Sequence, residues 1–144
     1  MPTMKQAELE AFLANEFPQI DHMRLRIEEV GDRYLRIRSP IDDRHLRPGG
    51  TVAGPTMVAL ADVGVYLAVL AMVGPRAQAV TTNLAINFLR RPERKDLVAE
   101  VRLLRLGRRL AVGEVHIFSD GGAEPVAQVT ATYSIPRAGE GSDG

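Results

Sequence analysis

Gly54-Pro-Thr-Met-Val-Ala-Leu-Ala-Asp62-Val-Gly-Val-Tyr-Leu-Ala-Val-Leu-Ala-Met-Val73, closed by Gly74-Pro75, is the stretch on which the fold turns. Its twenty residues carry one charge, Asp62. Proline near the start and Gly-Pro at the end punctuate a helix over 54–73. The length would suit a membrane span, but an aspartate near mid-span costs about 2.5–3.5 kcal/mol on insertion scales and no Ile/Leu/Phe run compensates. A helix apolar on all sides in a water-soluble protein must instead be wrapped by the rest of the chain.

The flanking sequence supplies the wrapping. Residues 22–30 alternate, with Met23, Leu25 and Ile27 against Arg24, Arg26 and Glu28, which reads as a half-buried strand. Gly31-Asp32 turns it into a second strand over 34–38, giving an antiparallel hairpin. After the central helix, segments 77–89, 97–106, 110–119 and 126–135 read as four more strands. In the first of these the alternation puts Thr82, Leu84, Ile86 and Phe88 on one face and Thr81, Asn83, Ala85 and Asn87 on the other. A short amphipathic helix over about 4–17, with Leu9, Phe12, Leu13 and Phe17, ends at Pro18. The order predicts an α+β domain over 1–136, a curved antiparallel sheet around one long helix, followed by a small polar tail at 137–144 expected to be flexible.

Composition removes several functions. The 144 residues hold 18 basic and 18 acidic side chains, interspersed, so no positive field for nucleic acid or an anionic membrane surface is expected. There is no cysteine, and His22, His45 and His116 are scattered, so neither a disulfide framework nor a metal site is expected. The N-terminus turns acidic and amphipathic instead of running into an apolar signal core, which makes the cytoplasm the expected location.

Asp62 is the residue that asks for chemistry, because an ionised carboxylate in an apolar helix is expensive without partners. Composition alone equally allows a plain acceptor of hydrogen bonds from a loop or a second subunit. The helix start bears on the choice. Pro55 leaves the Gly54 N–H with the positive end of the helix dipole behind it, a place where a carbonyl oxygen could become an oxyanion. Eight residues at 1.5 Å rise separate Gly54 from Asp62 by about 12 Å, too far to act on one carbonyl. If both act, they come from different subunits of a twofold dimer with the helices antiparallel. Arg90, Arg91, Arg108 and Arg109 fall at strand ends, where they could meet phosphates or simply form a solvated edge.

Residues 46–63, which include Leu60-Ala61-Asp62, 82–92, which include Phe88-Leu89-Arg90-Arg91-Pro92, and 106–115 together resemble the PaaI-type branch of the hotdog thioesterases. The resemblance covers nearly the whole chain after the first twenty residues. It implies the hotdog fold, a homodimer or dimer of dimers, and hydrolysis of acyl-CoA thioesters to free acid and CoA. No metal or redox cofactor is implied, CoA being part of the substrate. Gly54, eight residues before Asp62, matches the oxyanion-binding glycine, and Asp62 matches the catalytic carboxylate, as general base or as nucleophile. Where the family has His-Gly-Gly the chain has Ala53-Gly54-Pro55, and Arg47 stands where relatives often have asparagine. His45, Arg47 and Asn83 are then the candidates for a water-positioning group, and Thr56, Arg90, Arg91 and Arg109 for substrate contacts. A non-catalytic acyl-CoA-binding module on the same fold is the alternative. A hydratase would want a histidine on the central helix, which is absent.

Overall fold

The computed structural model describes residues 1–137, so the expected tail beyond Arg137 lies outside the described residues. Six strands form one antiparallel sheet: β1 (Arg26–Gly31), β2 (Tyr34–Ser39), β3 (Val80–Phe88), β4 (Leu97–Leu106), β5 (Leu110–Ser119) and β6 (Ala127–Ser134), in the order β1-β2-β4-β5-β6-β3. Helix α1 spans Gln6–Glu16 and the long helix α2 spans Gly54–Val73. The expectation of a hotdog architecture is met: α2 lies in the concave side of the sheet, packed on β2, β4, β5, β3 and β6. Buried and less buried residues alternate along β2 and β6, as a sheet with one face on the core requires.

The sheet curves because three β-bulges bend it, between Ile27 and Glu29, between Thr81 and Asn83, and between Leu103 and Arg105. Two glycines let α2 come close. A Cβ at Gly64 would stand 3.0 Å from Val101 Cγ2, and one at Gly113 would stand 3.0 Å from Val65 Cγ1. Leu60, Val65, Leu67, Val69 and Leu70 are all fully buried. The wrapping is not complete, however: Pro55 and Ala59 are exposed and Val58 and Asp62 only half-buried, a stripe at helical spacing that no strand covers. That stripe is where the expectation of an all-round wrapped helix fails. The helix is long and apolar enough to cross a membrane by length and composition, yet two thirds of its most apolar window is buried inside the fold.

The first strand starts later than the alternation suggests. Pro18–Met23 forms a 3-10 turn, Arg24 takes a left-handed conformation with φ 49°, and β1 opens only at Arg26. The Arg24 N–H donates to the Asp21 carbonyl, closing the turn locally before the chain can extend. The N-terminal helix is likewise shorter than 4–17, and the segment leading into it is tied to the end of α2 by the Thr3 and Met4 amides, which both donate to the Ala71 carbonyl. Leu9 and Phe12 bury against the core.

Candidate active site

Asp62 stands two turns into α2, half-buried in the wall of a pocket of about 550 Å³. Its Oδ1 accepts two hydroxyl hydrogen bonds, from Thr81 Oγ1 at 2.5 Å and from the Tyr133 phenol at 2.6 Å. The same phenol lies 2.9 Å from the Asp62 main-chain carbonyl oxygen. No hydrogen bond from the described residues reaches Oδ2. Burial first, and the Asp62 carboxylate second, push the Tyr133 phenol far above its ordinary value, so it stays protonated and donates. Glu16 and Phe17, at the end of α1, and Tyr66, one turn along α2, also line the pocket. The Phe17 ring meets Tyr66 edge-on at 5.9 Å, and Tyr66 meets Tyr133 at 6.2 Å.

Thr81 reaches Asp62 because of the bulge in β3. Thr81 pairs with Tyr133, Asn83 pairs with Thr132, and Thr82 is the extra residue between them. The bulge therefore turns Thr81 inward, onto the face of Leu84 and Ile86, and corrects the uniform alternation, which put Thr82 there and Thr81 opposite. Thr82 is exposed and its hydroxyl donates to the Thr132 carbonyl. Neither Thr81 nor Tyr133 stood among the sequence candidates. A bulge leaves no residue signature in one chain, but a tyrosine on the buried face of β6 was a signal, since a buried phenol needs a partner.

Gly54 opens into a different pocket, of about 420 Å³, together with Arg47, Phe88, Arg90 and Arg91. As the first residue of α2 it has an N–H without an intrahelical acceptor, and Pro55 has none to offer. The Phe88 ring crowds this position, since a Cβ at Gly54 would stand 3.2 Å from Phe88 Cζ and the ring would have to give by a few tenths of an ångström. The preceding loop is shaped by Gly49 and Gly50, with φ 100° and 79°, and by the bridge between Leu46 and Val52. This brings Arg47 to the same pocket.

The other sequence candidates are dispersed. His45 pins the loop: its Nδ1 accepts from the Asp42 amide at 2.9 Å and its carbonyl accepts from Ala53, and it lines neither pocket. Thr56 is half-buried in the first turn of α2 and Asn83 is exposed on the outer face of β3, both outside the two pockets. Arg90 is held by Glu124 at 2.8 Å and by the Pro125 carbonyl, whereas the Arg47 and Arg91 side chains have no partner among the described residues. The four arginines are not one cluster. Arg108 and Arg109 lie in the β4–β5 hairpin, where the Arg109 carbonyl accepts from Ile135, far along the sheet from Arg90.

Residues 49–126, more than half of the chain, match the thioesterase superfamily. The chain belongs to that superfamily. The match spans Gly54, Asp62 and Thr81 and ends before Tyr133. A crystal structure of a candidate thioesterase from Silicibacter sp. TM1040 is 48% identical with a TM-score of 0.87, over 94% of both chains. A candidate esterase of Pseudomonas aeruginosa is 30% identical over 105 residues, 72% of this chain and 77% of that protein. The phenylacetic acid degradation protein PaaI of Thermus thermophilus, in a variant form, shares the fold at a TM-score of 0.71, with 24% identity over 83% of this chain and 99% of its own. The PaaI-like hotdog resemblance of the sequence is therefore upheld, and within the superfamily thioester hydrolysis is the chemistry against which the site reads.

Proposed function

We propose that the protein hydrolyses acyl-CoA thioesters in the cytoplasm as a homodimer or dimer of dimers, each site pairing Asp62 of one subunit with Gly54 of the other. The observation that carries this reading is the division of the site. Asp62 and Gly54 open into separate pockets at the two ends of the uncovered helix stripe, so each pocket holds half of what acyl transfer requires. Packing two such stripes antiparallel brings the halves together. Arg47 and Arg91, beside Gly54 and with no side-chain partner among the described residues, suit the phosphates of CoA.

In the proposed reaction Asp62 Oδ2 takes a proton from water as the water oxygen bonds to the thioester carbonyl carbon. The carbonyl electrons move onto oxygen, where the Gly54 N–H and the dipole of α2 hold the negative charge. Collapse of the intermediate breaks the C–S bond, and the sulfur leaves as CoA with the proton from Asp62. The general-base role is favoured over direct attack because Thr81 and Tyr133 hold Oδ1 against the helix. A base need only reach a water, whereas a nucleophile must swing to bonding distance. No metal or redox cofactor enters this scheme.

An assay of wild type and Asp62→Asn against a panel of acyl-CoAs tests the reading. Turnover by the wild type and a loss of about 10²- to 10⁴-fold in kcat in the variant are expected. Undiminished turnover in Asp62→Asn would overturn the role of Asp62. An inactive wild type that still binds CoA esters would favour a non-catalytic binding module, a reading to which Ala53, in place of the family histidine, lends weight.

A further inference from the structure

We infer that Tyr133 is a positioning residue for the reaction, fixing the carboxylate of Asp62 so that Oδ2 alone faces the substrate pocket. The inference rests on the proposed role of Asp62 and goes beyond it, since the family match ends before residue 133. The geometry is asymmetric. Oδ1 receives the Tyr133 phenol at 2.6 Å and the Thr81 hydroxyl at 2.5 Å, while Oδ2 receives nothing from the described residues. The phenol is also 2.9 Å from the carbonyl oxygen of Asp62 itself, so one hydroxyl ties the side chain to its own main chain and removes its torsional freedom. Tyr133 is itself well placed to be rigid. It is 3% exposed, stands on β6 between its paired neighbours β3 and β5, and packs near Tyr66.

The chemical consequence follows from the division of labour between the two oxygens. A carboxylate free to rotate spends much of its time with the wrong oxygen, or the wrong lone pair, toward the attacking water, whereas one held at Oδ1 presents the other in a fixed direction. Both donors are neutral, so they orient the group without neutralising it. A residue that served only the core would be satisfied by the main-chain carbonyl alone; the shorter contact is to the carboxylate.

Tyr133→Phe keeps the ring and deletes the hydroxyl. The expected result, on the full-length protein with the acyl-CoA it turns over best, is a kcat lower by roughly 10- to 100-fold with KM within about twofold of wild type. In the Asp62→Asn background the same change should have no further effect on kcat, because there is no carboxylate left to aim. Thr81→Val, which deletes the other donor from the edge strand, should show the same split between kcat and KM. A Tyr133→Phe enzyme with unchanged kcat, one whose loss appears in KM, one whose loss is equal with and without Asp62, or a chain that no longer folds would each overturn the inference. Failure of the underlying reading looks different: there Asp62→Asn itself would keep full turnover, and the positioning role would fall with it.

Discussion

Tyr66 sits one turn beyond Asp62, its hydroxyl donating to the Ala77 carbonyl at 2.9 Å and its ring between Phe17 and Tyr133. Burial first and the charge of Glu16 second push its phenol from 10.0 up to about 12. The folded protein therefore keeps this proton over a range in which the unfolded chain has lost it. The resulting stability is complete below pH 10 and drains away as the pH rises toward 12. Tyr66→Phe should flatten this alkaline loss, so that wild type and variant converge in Tm across that window; parallel curves would show that the phenol does not titrate differently on folding. At this scale Asp62 was legible in the sequence, since one charge among twenty residues of helix is visible without any structure. Thr81 was not, because only the bulge in β3 turns it inward, and Tyr133 was visible only as a buried phenol in need of a partner, not as the partner of Asp62.

Among the elements, β1, β2 and the ends of β4 and β5 are stitched on the outer face by Arg38. Its guanidinium reaches Glu28 Oε2 at 2.7 Å, Asp120 Oδ1 at 3.2 Å and Asp96 Oδ2 at 3.4 Å. Hydrogen bonds from Arg38 are the leading reason that both Glu28 and Asp120 lie below the usual carboxylate range. Because their folded values are depressed, the unfolded chain binds more protons as acid is added. The stabilisation is present above about pH 4.5 and is lost as the pH falls through the folded values. Asp120 is half exposed, so solvent screens its share and Glu28 carries more. Arg38→Leu should lower Tm at neutral pH, and the gap to wild type should narrow as the pH falls below the unfolded value of 4.5 and through the depressed folded values. A gap of constant size would mean that Arg38 acts through packing alone. The strands themselves were readable from alternation, with two physical exceptions, the first being the bulge at Thr82 in β3. In the second, residues 22–25 alternate like a strand, yet Pro18 and the local bond from Arg24 to Asp21 hold them in a tight turn.

On the scale of the whole molecule, Asp62 and Gly54 line separate pockets of one chain, and Pro55 and Ala59 stand exposed between them on α2. Subunit sharing predicts complementation. Gly54→Pro removes the oxyanion donor and Asp62→Asn removes the base, so each homo-oligomer should be inactive, while hybrids formed by refolding a mixture should regain one intact site per mixed dimer, about a quarter of wild-type activity for random pairing. Hybrids that form, by mass, but recover nothing would rule out the shared site. The helix, its lone carboxylate, the glycine ahead of it and the α+β plan can be read from residue order, because hydrophobic period and a single misplaced charge are local, one-dimensional signals. Only the packed strands show that Oδ1 of Asp62 is the oxygen held by hydroxyls, with no hydrogen bond from the described residues to Oδ2. The tertiary structure also drew Arg47 to the Gly54 pocket, left His45 to pin a loop, and separated Arg109 from Arg90. These depend on a bulge, a loop turned by Gly49 and Gly50, and the distance between opposite ends of a sheet, all of which exist only once strands far apart in the chain have paired.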